Sequence, residues 1–231
     1  RRHLTAVERP ELREVALGGP DTATRTKTVW QVKLLRAGDV NAAVSCDQFG
    51  AGWSPPGTQS TGRLRAQAEA EEAPIGECLV PPGAGFRGLE NQLYRVEIVT
   101  PGPAGTATFV WSRDNGAMLA RLENIQGSVL TVSDPGKDAV SGFAAGQWVE
   151  LSDEGRVLRG EPGVLVELAS VQGNGLTVRA WPNNTPLTMA SFGAGPTVRR
   201  WDSAGALTVQ TGQWIELEDG VQVAFAAGEY R

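Results

Sequence analysis

Gly146-Gln147-Trp148-Val149-Glu150-Leu151-Ser152-Asp153 and Gly212-Gln213-Trp214-Ile215-Glu216-Leu217-Glu218-Asp219 are two copies of one pattern, Gly-Gln-Trp-Val/Ile-Glu-Leu. In each copy Trp and Glu fall on one parity, while Gln, Val or Ile, and Leu fall on the other. That is the period of a strand, whose successive side chains point to opposite faces of a sheet. A glycine leads into each copy and an acidic residue closes it, as a strand bounded by tight turns requires. Each copy also follows a Leu-Thr-Val run, within Ser128–Val132 and Gly205–Val209, and a third such run is Leu176-Thr177-Val178. Two copies are too few for a solenoid or propeller, so duplication and recurrent hairpin chemistry both stay open.

The pattern extends outward in both directions. Gly160-Glu161-Pro162-Gly163 is a turn, and Val164 to Leu168 reads as the strand after it. Upstream, Tyr94, Val96 and Ile98 alternate with Arg95 and Glu97, which predicts a half-buried strand. A turn at Pro101-Gly102-Pro103 leads to a strand over Thr106–Trp111. Asp114-Asn115-Gly116 follows, and Asn-Gly suits a type I′ turn because both central residues need positive φ. The expected consequence is a hairpin whose return strand is Ala117–Leu122. Short strands at roughly ten-residue spacing predict an all-β fold. The expectation is an antiparallel sandwich or barrel built of short hairpins, as one domain or as two β subdomains.

Residues 81–231 form the hairpin-rich domain in this reading, and residues 1–80 an N-terminal β-containing region with a long loop. Leu17-Gly18-Gly19-Pro20-Asp21 is a turn, and Thr28–Leu34, rich in Val and Thr, predicts a strand. Pro20 and Asp21 could equally open a short helix over 22–27. Residues 36–62 are loop-like. In 63–73, Leu64, Ala66, Ala68 and Ala70 alternate with polar residues, so the stretch reads as a strand running into an acidic loop despite its helix-forming composition.

Composition excludes several functions. The 231 residues are 41% hydrophobic, enough for a core, and the 29 Gly and 14 Pro lie between apolar runs, as frequent turns require. A net charge of −5 without a Lys/Arg cluster gives no electrostatic footprint for nucleic acid. No run approaches the ~20 apolar residues of a membrane helix, so membrane insertion is not expected. The abrupt ends, Arg1-Arg2-His3 and Glu229-Tyr230-Arg231, suggest a piece of a longer chain.

One histidine, His3, leaves little room for Ser/Cys-His catalysis or a zinc site, and there is no Gly-x-Ser-x-Gly elbow or phosphate loop. No cofactor is implied. Asp114-Asn115-Gly116 lacks the remaining ligands of a calcium loop, so no metal is expected either. Cys46 and Cys78 are either two unrelated thiols or a disulfide closing the loop between them. A disulfide would favour an extracellular or particle-associated location, and nothing else indicates a compartment.

Two chemistries remain. A glycosidase needs only two facing carboxylates, and Glu90, Glu97, Asp114, Glu150 and Glu216 are candidates. Tryptophans on β faces can stack on sugars, but each of the seven sits in or beside a strand-like run where packing is the usual role. Trp53, in a Gly/Pro loop, is the best exception. The candidate binding residues are therefore Trp53, Trp111, Arg113, Asp114 and Asn115.

Gly88-Leu89-Glu90-Asn91-Gln92-Leu93-Tyr94-Arg95-Val96-Glu97-Ile98, Trp111-Ser112-Arg113-Asp114-Asn115-Gly116, Leu217-Glu218-Asp219-Gly220 and Gly228-Glu229-Tyr230-Arg231 resemble segments of an uncharacterised bacterial domain family. Glu14–Thr22 and Val29–Lys33 are similar to its upstream portion. The resemblance implies further sequence on both sides and phage-tail-like or contractile-injection gene clusters as the setting. It brings no catalytic residues. The expected function is a non-catalytic structural or interaction module of a larger bacterial protein, with protein partners or self-association. A glycan-binding module and a carboxylate-dependent glycan-processing enzyme are the alternatives.

Overall fold

The computed structural model describes residues 2–4, 7, 9–13, 15–17, 25–30, 32, 60–68 and 93–231. Trp53, Cys46, Cys78 and Glu90 lie outside them, as do the loop over 36–59 and the acidic stretch that follows Ala68.

The chain is all-β, and the sandwich and the barrel both occur. Six strands close an antiparallel barrel: β7 (Leu119–Gln126), β8 (Val129–Val132), β9 (Trp148–Ser152), β10 (Val164–Gln172), β11 (Gly175–Val178) and β12 (Thr197–Trp201), in the order β10-β11-β8-β7-β12-β9. Alternation fills its interior. Ala120 and Leu122, Leu130 and Val132, Val149 and Leu151, Val166 and Leu168, and Leu176 and Val178 are i, i+2 pairs pointing inward, joined by Val198. Burial of each such Val or Leu contributes about 1.5–3 kcal/mol, which makes this core the main stabilising element.

The second unit is smaller. β4 (Arg95–Thr100), β6 (Thr108–Ser112) and β13 (Leu207–Thr208) form one sheet, in the order β13-β6-β4. β3 (Leu64–Ala68), β14 (Ile215–Glu218) and β15 (Val221–Phe225) form another, in the order β14-β15-β3. Phe109 and Trp111 from the first sheet pack with Val223 and Phe225 from the second, and the Phe109 and Phe225 rings are 4.8 Å apart. The C-terminus seals this core. β16 (Glu229–Tyr230) pairs with β5 (Gly102–Pro103), and the Tyr230 ring stands edge-on to Phe225. Residues 60–68 thus sit with the C-terminal strands, and Thr61 and Gly62 donate backbone hydrogen bonds to the Glu229 carbonyl.

Three expectations are corrected. Asp114-Asn115-Gly116 has the predicted left-handed backbone, with φ of 49°, 57° and 65°, but it makes no hairpin. β6 is paired on both edges by β4 and β13, and β7 is paired by β8 and β12, so the turn carries the chain from one unit to the other. The strand expected over Thr28–Leu34 is replaced by β2 (Arg25–Lys27), which pairs with β1 (Arg2–Leu4). Trp30 and Val32 beyond it are 92% and 102% exposed. The same pairing excludes a helix reaching Lys27. A short helix, α1 (Glu154–Arg159), interrupts the expected run of strands between β9 and β10.

Candidate functional site

The two units meet along a seam between β4 and the outer face of β9 and β12. On β9, Val149 and Leu151 point into the barrel, so Trp148, Glu150 and Ser152 share its outer face. The β9–β12 ladder places Ser152 opposite Thr197, Glu150 opposite Arg199, and Trp148 opposite Trp201. This outer face meets β4, from which Arg95 and Glu97 project. Arg95 stands over the Trp201 ring at 5.7 Å and holds Glu97 at 2.6 Å.

Between the units lies a cavity of about 350 Å³. Its floor is the two rungs Ser152/Thr197 and Glu150/Arg199, its roof is Arg95 and Glu97, and Glu154 and Glu161 with α1 close one side. Ile98, Leu119 and Val157 supply apolar wall. Glu150 and Arg199 are fixed locally. Glu150 accepts from the Gly163 N–H at 2.7 Å and from Trp201 Nε1 at 3.1 Å. Arg199 donates to the Gly116 carbonyl, and a Cβ at Gly116 would lie 3.2 Å from Arg199 Nη1. Gly116 therefore serves both its positive φ and this close approach.

Asp153, at the cavity edge, caps α1 by accepting from the Arg156 N–H at 2.9 Å, and it reaches the Gly193 N–H at 3.2 Å. Burial pushes its carboxyl pKa upward, but these backbone donors, the Arg156 charge and the Gly155 N–H together hold it below the ordinary carboxylate range.

A second polar cluster locks the units together. Asp202, just beyond β12, accepts from Ser112 Oγ at 3.0 Å and from the Arg113 N–H at 2.9 Å. Arg200 Nε lies 3.3 Å from Asp202 Oδ1, an ion pair without hydrogen-bond geometry, while Arg200 Nη1 donates to the Val140 and Gly142 carbonyls at 2.8 and 2.6 Å. Arg113 forms a bidentate pair with Glu218, with Nε 2.5 and 2.7 Å from the two carboxylate oxygens. That partner raises the Arg113 pKa further. Burial raises the pKa of Tyr94, and its hydrogen bond to Glu218 acts in the same direction.

Of the candidate binding residues, Trp111 is 6% exposed and packs 6.1 Å from the Tyr94 ring. Arg113 belongs to the lock. Asp114 is exposed on the connecting turn, and the Asn115 N–H donates to the Leu93 carbonyl at 2.9 Å. Trp53 lies outside the described residues. Among the candidate carboxylates, Glu97 and Glu150 come together on one cavity, whereas Asp114 and Glu216 do not line it. Ser152, Asp202 and Glu218 were not anticipated. Their partners are about 45–105 residues away, so no local pattern marks them. No group of three or more His, Cys, Asp or Glu side chains suited to a metal occurs among the described residues.

The profile of a family of unknown function, DUF6519, matches residues 1–51 and 41–231, which together span the chain. The chain belongs to the DUF6519 family. No curated protein and no solved structure matches it. Within this DUF6519 chain, then, the seam has to be read from its own chemistry. No helix among the described residues is long and apolar enough to cross a membrane.

Proposed function

We propose that the chain is a non-catalytic structural and interaction module of a larger bacterial protein, of the kind used in phage-tail-like or cell-surface assemblies. The observation that supports this reading is the lock. Arg200 and Asp202, with side chains 6% and 7% exposed, tie the barrel to the smaller unit, and Arg113 and Glu218 extend the tie to the outer sheet. Asp202 reaches across the seam to Ser112 and Arg113, and removing one member of such a buried pair costs about 3–5 kcal/mol, so the lock resists separation of the two units. Units held in this way keep their surfaces in register, as an assembly component must.

The outer sheet supplies a surface for partners. All five residues of β3 are exposed, and among the described residues β3 pairs with β15 alone. An edge strand of this kind can accept a strand from another chain. The test is co-expression with the products of adjoining genes, followed by sedimentation analysis. A stoichiometric complex weakened by Leu64→Lys and Ala66→Lys, which place charge on the edge, is the expected result. Glycan hydrolysis lost in both Glu97→Gln and Glu150→Gln would replace this reading with the enzymatic one.

A further inference from the structure

We infer that the cavity between β4 and the β9–β12 ladder is a binding site for a neutral hydroxylated ligand the size of one pyranose unit. Ser152 is the starting observation. It lines the cavity and is 7% exposed, yet among the described residues its Oγ has no hydrogen-bond partner. Leaving a buried hydroxyl unpaired costs about 1–3 kcal/mol, so native structures usually satisfy such groups or use them. Strand alternation puts Ser152 on the same face as Glu150, away from the barrel core. Its Oγ is almost wholly covered there, so a ligand in the cavity must draw it out by rotation about χ1.

The lining chooses the ligand class. Five carboxylates (Glu97, Glu150, Asp153, Glu154, Glu161) line the space beside two guanidiniums (Arg95, Arg199), and Arg156 and Arg159 pair with Asp153 and Glu161 from behind. The charge around the space is thus nearly balanced, which favours neither an anionic sugar nor a simple cation over a neutral ligand. Donors and acceptors alternate, with Glu150 opposite Arg199 on one rung and Ser152 opposite Thr197 on the next. A hydroxyl both donates and accepts, so vicinal hydroxyls match such a surface, whereas a simple cation would face the guanidiniums as well. Ile98, Leu119 and Val157 provide a wall for ring C–H groups. The volume, about 350 Å³, lies at the small end of the ~300–1,000 Å³ range of ligand pockets, which suits one sugar ring rather than a chain. Glycan binding here would rest on the polar seam and not on the tryptophans. It is independent of whether β3 recruits a protein partner.

The experiment is an amide chemical-shift titration of the whole chain with the methyl glycosides of glucose, galactose, mannose and N-acetylglucosamine, with glucuronate and 1,4-diaminobutane as charged controls. Saturable shifts at Glu150, Ser152 and Thr197 with at least one neutral glycoside, and weaker or no shifts with the controls, are expected. Ser152→Ala and Thr197→Val should each weaken that binding about three- to tenfold, the loss of roughly one hydrogen bond. Ser152→Ala should keep or raise the melting temperature, because it removes an unsatisfied hydroxyl, and this separates binding from folding. No saturable shift with any glycoside, tighter binding of either control, or unchanged affinity in Ser152→Ala would overturn the inference.

Discussion

The two Gly-Gln-Trp copies share a local conformation and differ in what surrounds them. Gly146 and Gly212 enter their strands at φ of 82° and 81°. In each copy the Gln side chain bonds three residues back, Gln147 Oε1 accepting from the Ala144 N–H and Gln213 Nε2 donating to Gln210 Oε1. Beyond this the copies part. β9 lies in the closed barrel, paired on both edges, whereas β14 ends its sheet and pairs with β15 alone among the described residues. Position by position, Leu151 corresponds to Leu217, Ser152 to Glu218, and Asp153 to Asp219. The sequence pattern dictates the strand and its entry, and tertiary context decides whether each position serves core, cavity, lock or turn.

The largest expected contrast is in the leucines. Leu151 is fully buried, while Leu217 is half-buried. Leu151→Ala should cost about 2–5 kcal/mol, because a closed barrel cannot collapse around the lost volume. Leu217→Ala should cost about half as much or less, since the outer sheet can relax. Urea unfolding of both variants measures this, and equal losses would mean that the second copy is as much a core element as the first.

The closing acids come next. Asp153 caps α1, whereas Asp219 sits at φ 47° before Gly220 in the tight β14–β15 turn. Asp153→Ala should cost about 1 kcal/mol as a lost cap, while Asp219→Gly, which suits positive φ, should change stability by less than about 0.5 kcal/mol. pH sharpens the difference. The folded-state pKa of Asp153 is depressed, so its charge stabilises the fold above the unfolded value of about 3.9, and this contribution is lost as pH falls through the folded pKa. Asn keeps the capping geometry without the charge. The stability gap between the native chain and Asp153→Asn should therefore be constant from neutral pH to about pH 5 and close below about pH 4. A gap that persists at pH 2 would remove the electrostatic account of this cap.

These positions also show what the sequence can disclose. β9 and β14 are legible because alternation and bounding turns agree. β12 is not, because its inward parity carries Val198 followed by Arg200, a buried cation that breaks the apolar alternation. α1 has a readable Asp153–Gly160 cap pair, but six residues are too few to display a helical period. At Asp114-Asn115-Gly116 the residues report backbone conformation correctly, yet a hairpin also needs free strand edges on both sides. Of the site, Glu97 and Glu150 could be named as carboxylates. Their meeting across the seam depends on β4 packing on the barrel, and nothing local in a strand serine distinguishes Ser152 from any other.

The smallest expected effect is at the tryptophans. Trp148 packs against Gly205, where a Cβ would lie 3.2 Å from its ring, whereas Trp214 is 39% exposed with the Arg65 guanidinium 5.6 Å from its ring centre. An exposed cation–π contact contributes about 0.5–1 kcal/mol. A double-mutant cycle of Trp214→Ala and Arg65→Ala should therefore return a coupling at the low end of that range, because both residues lie on an open sheet surface. The contact also ties β14 to β3 across β15, so its loss should free the β3 edge locally without lowering the global midpoint by much. Hydrogen exchange at Leu64–Ala68 is the discriminating measurement. Faster exchange confined to β3 in Trp214→Ala fits a peripheral copy, while faster exchange spreading into β9 and β12 would mean that the two copies are coupled through the lock.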